Sequence, residues 1–478
     1  MKKVRVYILA SLMTAGLSAC DLFSDFGDLN NNPAATTTPI VGALMSNVQS
    51  SIGGLAYQIT PGYFAQYFSE TQYPAASYYA IPQSEFTGTY SGTLYDLQNI
   101  INMDVSKNMS AVSLILQQYI FWTLTDRFGD IPYSEALKGA EFARPKYDTQ
   151  EEVYKGMIQK LKDANALFDN SQITGDLIYN GNVAAWKKTA NSMRMMMALQ
   201  LSNKYPAAGG YAATEFAAAL NDPAGIITTN ADNFKLSYPG GNFSNPYWAI
   251  YDGRKDVAQS KTMTDLTELM LDRRQNAFGG ITEEQGVANT GVTSNVGVPY
   301  GLSRTAAENF TSQNPTWARV LRGDLRPQAS TLYILTAGQV FLARAEAANL
   351  GWTQENLNQV YRTGIERSHE QWGVGAPAAT YFTNAAVALG TAGAANVKNI
   401  ATQRYLAAYP DGLQGWNIWR KTGYPVLVPT SEATNASKQI PNRYIYGQGE
   451  YTSNKESVEA AVARVGGTYN QDSKIWWQ

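Results

Sequence analysis

"LTDRFGDIPYSEAL", residues 124–137, closes an apolar stretch with a polar turn and resumes as an extended Ile131, Pro132 and Tyr133. Residues 111–128 are apolar nearly all round, which predicts a helix buried between other helices, with Gly129 as its C-terminal stop. Asp126, Arg127 and Asp130 fall at that helix end, where charged groups satisfy free backbone groups and one another. Tyr133 and Glu135 belong to the same turn and receive the same structural reading.

Working outward, more helices follow. Thr149 and Glu152 have capping-box spacing, and Val153, Met157, Ile158, Leu161, Ala164 and Phe168 recur at helical intervals behind them. Trp186, Ala190, Met193, Met197 and Leu201 form another stripe, in which the methionines are adaptable packing residues. Residues 336–368 read as two helices joined at Gly351 and Trp352, with Thr353 capping the second. So short a junction forces a hairpin, near the length of a tetratricopeptide repeat but without its consensus. Between the helical blocks lie two irregular tracts, residues 55–94 and 230–317, rich in Gly, Asn, Ser, Pro and aromatics. Tracts of this kind are normally functional loops.

Composition narrows the ligand. With 37 basic and 39 acidic residues and 16% charged overall, the chain has no electrostatic footprint for nucleic acid. Thirty Tyr and ten Trp accompany a single His, a palette that grips neutral, hydroxyl-rich or peptide ligands. His369 stands alone near a helix end, where the dipole favours it, so Cys-His chemistry and multi-His metal sites lack parts. No GxSxG elbow supports a serine nucleophile.

The single cysteine, Cys20, follows Lys2, Lys3, Arg5 and a short apolar run ending in Leu17, Ser18 and Ala19. That is the layout of an export signal, and it matches the lipobox of bacterial lipoproteins. Residues 1–19 then form the signal and Cys20 carries the lipid. Residues 20–39, rich in Asp, Asn, Thr and Pro, form a flexible tether, and residues 40–478 form one domain.

The turn at 124–137 resembles the signature of SusD/RagB outer-membrane lipoproteins. Further stretches match in the order of that family: residues 145–161, 186–199, 341–352, 361–368, 412–427 and 440–454. Residues 270–278 follow the family pattern loosely, and Gly447 stands where a Pro is common. The resemblance is closest to the SusD-like branch. It implies a mainly α fold, with tetratricopeptide-like helix hairpins packed against an irregular loop-rich half. It also implies nutrient capture at the cell exterior by a lipid-anchored outer-membrane protein, which delivers an oligosaccharide or, in the RagB type, a peptide to a SusC-like TonB-dependent transporter. No bond is broken in that role, and no catalytic residue, metal or cofactor is assigned. A surface glycoside hydrolase is the enzymatic rival, since 39 acidic residues always allow a carboxylate pair. A purely structural surface protein is the third class.

Trp416, Trp419, Arg420 and Lys421 resemble a structural motif of the family. Ligand contact falls instead to aromatics of the irregular tracts, Tyr73, Tyr78 and Tyr79 in the first and Tyr247, Trp248 and Tyr251 in the second. A sugar ring offers C–H groups to an aromatic plane and hydroxyls to neighbours, which makes Gln72, Asp252 and Arg254 their polar companions.

Overall fold

The computed structural model describes residues 40–80, 82–284 and 292–478. The expectations for the signal, Cys20 and the tether fall outside the described residues. Helices dominate: α1 (Val41–Ala56), α2 (Tyr95–Met103), α3 (Lys107–Phe128), α4 (Gln150–Leu167), α5 (Val183–Gln200), α6 (Tyr211–Leu220) and α7 (Lys261–Met270). They continue with α8 (Arg304–Gln313), α9 (Ala337–Asn349), α10 (Leu357–Gln371), α11 (Val397–Ala408), α12 (Gly412–Thr422) and α13 (Lys455–Val465). Among the described residues every sheet has two short strands. The pairs that matter here are β1 (Phe68–Glu70) with β3 (Val257–Gln259), and β2 (Phe234–Ser237) with β4 (Thr331–Leu335), both antiparallel.

The central helix is α3. Ser106 caps it, its Oγ accepting from the Met109 N–H at 3.2 Å, and nearly every residue on it is buried, so it carries no polar face. Gly129 ends it at φ +80°, a conformation a side chain would strain. The predicted capping box at Thr149 and Glu152 opens α4. α3 packs on α4, α4 on α5, and α5 on α6; α9 packs on α10 and α11, and α11 on α12. The helices therefore stack as hairpins. One boundary differs from expectation: α10 is capped by Asn356, whose Oδ1 accepts from the Gln359 N–H at 3.0 Å, and not by Thr353. Asn and Thr both serve as caps, so spacing alone did not distinguish them.

The last turn of α3 and the chain after it bind the scaffold together. Asp126 is fully buried and accepts from Tyr154 Oη at 2.5 Å, Asn417 Nδ2 at 2.6 Å and Trp477 Nε1 at 3.1 Å. Burial pushes its carboxyl up to about 6, against the pull of those donors. Arg420 donates to the Asp126 carbonyl at 2.7 Å and lies 3.6 Å from the Trp416 ring centroid. Asp130 accepts from Gln150 N at 2.9 Å and pairs with Arg464 at 2.7 Å. Tyr133 donates to Gln118 and Glu135 accepts from Lys146 N. The structural reading of this turn is what the molecule displays.

Two further buried charge nodes tie distant helices. Glu346 of α9 pairs with Arg404 of α11 and, at 2.5 Å, with Lys421 of α12. Although burial raises its pKa, these two cations hold Glu346 down to about 2. Asp272, just after α7, pairs with Arg274 at 2.6 Å and accepts from Tyr381 Oη at 2.6 Å. His369 joins this node: it occupies the last turn of α10, as expected, but it is wholly buried, with Nε2 3.3 Å from Asp272 Oδ1 and Nδ1 2.9 Å from the Ile365 carbonyl. A nearby carboxylate, rather than the helix dipole alone, accounts for its place. Among the described residues no helix is long and apolar enough to cross a membrane.

Candidate functional site

The two irregular tracts meet at the β1–β3 ladder, which sets Glu70 opposite Val257. Pairing continues one step past the strands: Thr71 N donates to the Asp256 carbonyl at 3.0 Å, and the Thr71 hydroxyl donates to the Lys255 carbonyl. Gln72 and Tyr73 are thereby carried alongside Arg254 and Lys255. At the other strand end, Gln259 N donates to the Ala318 carbonyl at 2.8 Å, which fastens the segment holding Trp317 and Arg319. These attachments enclose a cleft of about 830 Å³, within the size range of small-ligand sites.

Its walls are charged, and apart from Lys255 the charges are paired. Arg254 bonds Asp256 at 2.9 Å, Arg319 bonds Glu283 at 2.7 Å, and Glu308 of α8 bonds Arg304 at 2.8 Å. The Arg319 guanidinium lies 3.5 Å from the Trp317 ring centroid and both residues are buried, so the stacked pair backs the cleft. Tyr73 is 57% exposed, with Arg304 5.6 Å from its ring centroid. A side chamber of about 270 Å³, walled by Tyr57, Tyr63, Ile250 and Val257, adjoins the cleft. Tyr73, Arg254 and Asp256 border both spaces, so Tyr73 stands between a charged compartment and a mostly apolar one.

Of the residues expected at the site, Gln72, Tyr73, Tyr251 and Arg254 come together in this cleft. Tyr251 contributes a ring and no free hydroxyl: its Oη donates to the Val257 carbonyl at 2.8 Å and accepts from Val320 N at 2.7 Å, while Arg326 covers the ring at 4.2 Å. Burial pushes its phenol well above the usual range.

The other five lie outside the cleft wall. Tyr79 is buried against Phe64, with φ +60°, because the Glu70 carboxylate takes the Ala76 and Ser77 N–H groups and winds the following chain inward. Tyr78 is half-buried, its carbonyl accepting from Thr434 N at 2.8 Å. Tyr247 is buried edge-on to Tyr57 at 4.9 Å, in the short helix Pro246–Ala249 that Asn245 caps. Trp248 sits half-buried on that helix, and Asp252 is exposed in the turn before Gly253.

Trp317, Arg319, Glu283, Glu308, Lys255 and Asp256 line the cleft without having been singled out from the sequence. One signal for them existed, because Trp317 marks the end of the second irregular tract.

The SusD-like family model, described as "Starch-binding associating with outer membrane", matches residues 30–447. The chain belongs to this family, whose members are outer-membrane-associated binding proteins. No curated protein sequence matches it. Among solved structures, it is similar to a chitin-binding SusD homolog from Flavobacterium johnsoniae, at 23% identity and a TM-score of 0.74, over 91% of this chain and 98% of that one. It is also similar to a SusD homolog from Bacteroides fragilis, at 24% identity and a TM-score of 0.75, over 92% and 99% of the two chains. A SusD homolog from Bacteroides uniformis aligns at 25% identity and a TM-score of 0.74, over 91% and 99%. These likenesses bear out the mainly α, SusD-like fold.

Proposed function

We propose that this chain captures an oligosaccharide in the cleft between residues 71–73, 251–256 and 308–319, and hands it to a SusC-like TonB-dependent transporter. The observation that carries the reading is an exposed aromatic face, Tyr73, in one cleft with the donors and acceptors of Gln72, Arg254, Lys255, Asp256 and Ser312. Stacking faces flanked by donors and acceptors suit sugar rings. The family description and the chitin-binding relative support a glycan ligand. Cys20 is the lipid attachment point, residues 1–19 the signal and 20–39 the tether, and they hold the domain of residues 40–478 on the outer face of the outer membrane.

One observation favours the peptide alternative: the cleft offers three cations, Arg254, Lys255 and Arg319, beside three carboxylates, Asp256, Glu283 and Glu308, partners that a peptide's charged groups could share. Hydrolysis is less well supported. A glycosidase needs two carboxyls free to flank the scissile bond, and each of the three carboxylates is engaged by an arginine at 2.7–2.9 Å. Calorimetric titration with chitohexaose, maltohexaose and an equimolar peptide mixture tests the reading. Binding of one glycan, without release of reducing ends and weakened by Tyr73→Ala, is the expected result. Binding of peptides alone would transfer the site to the RagB-type role, and reducing-end release would revive the hydrolase.

A further inference from the structure

A second cleft, of about 650 Å³, opens between α1 and the segment after β2. Among the described residues that line it, none is charged. Its apolar faces come from Leu177, Leu236, Pro239 and Phe243, and its rim from small neutral groups. Phe243 is 57% exposed and Leu177 50%, so both present apolar surface to the concavity.

The walls are held by hydrogen bonds and close packing. Leu177 is pinned by its N–H to Gln49 Oε1 at 2.6 Å, while Ser46 Oγ donates to the neighbouring Gly175 carbonyl at 2.9 Å. The hydroxyl end of Tyr238 reaches α1 because Gly53 has no side chain: a Cβ there would sit 2.1 Å from the phenol oxygen, which donates to the Ser50 carbonyl at 3.2 Å. Phe243 is held out by a tight turn in which Gly240 and Phe243 exchange backbone hydrogen bonds at 3.2 Å, and Gln328 accepts from Gly241 N at 3.0 Å. A site assembled before its ligand arrives loses little freedom on binding.

We propose that this cleft is a second carbohydrate site, selective for an uncharged saccharide. Phe243 offers a face to the C–H side of a ring. The hydroxyls of Ser46 and Ser50 spend their protons on the Gly175 and Asn47 carbonyls, at 2.9 and 2.8 Å, which leaves their oxygens free to accept from sugar hydroxyls. Without a cation in the lining, an acidic saccharide gains nothing there and loses hydration. The charged first cleft and the neutral second one would hold two parts of one polymer, or two chains of it, and raise retention through effective concentration.

The test is calorimetric titration of the whole chain with chitohexaose and maltohexaose, and with hexagalacturonate as the charged control. A neutral hexasaccharide is expected to give two binding phases, one weakened at least tenfold by Phe243→Ala and untouched by Tyr73→Ala, with hexagalacturonate never producing that phase. Ser50→Trp, which fills the cleft, is expected to abolish the same phase; should it fail to fold, Phe243→Ala at its exposed position carries the test alone. The proposal is overturned if no neutral hexasaccharide gives a phase sensitive to Phe243→Ala, or if hexagalacturonate fills that phase equally well. Loss of the Tyr73-dependent phase alone would count against the first cleft and leave the second standing.

Discussion

At the C-terminal end of α3, Asp126 accepts from three side chains and Arg420 covers its carbonyl, all of it buried. In the first cleft, Arg254 and Tyr73 face solvent and the ion pairs lie along an open wall. The two regions draw on the same residue types, acids, arginines and aromatics. What separates them is enclosure: the polar groups at the helix end are wholly buried, whereas at the cleft Tyr73 and Arg254 stay open to solvent beside paired charges. A motif dense in charge and aromatics is therefore as readily a joint of the scaffold as a binding surface, and only three-dimensional placement tells which.

The sharpest way to break this comparison is Asp126→Ala. It leaves Tyr154, Asn417 and Trp477 with unmet donors in the core and is expected to cost about 3–5 kcal/mol of stability, read by denaturant unfolding, while the folded fraction binds ligand as before. Next in size is a pH response of the scaffold. Asp411 caps α12, accepting from Leu413 N at 3.0 Å and Gln414 N at 3.1 Å, and burial pushes its carboxyl up to about 7. Asp126 is likewise raised, to about 6. Both folded values lie above the unfolded one, near 3.9, so the native state binds more protons. The contribution is complete below about pH 4 and is lost as pH rises through 6–7. The unfolding midpoint should fall between pH 5 and 8, and Asp411→Asn, which keeps the cap, should flatten that slope.

On the cleft side the expected effects invert. Tyr73→Ala should weaken glycan binding about tenfold, the worth of one stacking face, with the unfolding midpoint unchanged; a matching loss of stability would place Tyr73 with the scaffold. The smallest change is expected from Arg254→Gln, because an exposed pair contributes little. Affinity should move by about threefold or less, with stability unchanged.

The helices were legible because their signals are local. The cap at Thr149, the stop at Gly129 and the stretch 111–128, apolar nearly all round, each act within a few residues. Asn356 in place of Thr353 was a choice between two equivalent caps. Half of the cleft eluded the sequence for a different reason: β1 and β3 are three residues each, too short for a readable alternation, and their pairing joins segments far apart in the chain. Tyr79 and Tyr247 read as surface aromatics because nothing in their neighbourhood announces that Glu70 winds one inward and Tyr57 covers the other.

That ladder has a consequence for how such a protein can change. It closes a loop of roughly 190 residues between Ser69 and Ala258, and since closure entropy grows only with the logarithm of length, the added cost over a short hairpin is about 3 kcal/mol. Lengthening the loop further costs almost nothing more. Insertions or deletions on either side of the ladder can recast one wall of the cleft while the strands keep the other in register, so a lineage can trade one nutrient for another without rebuilding its helical frame.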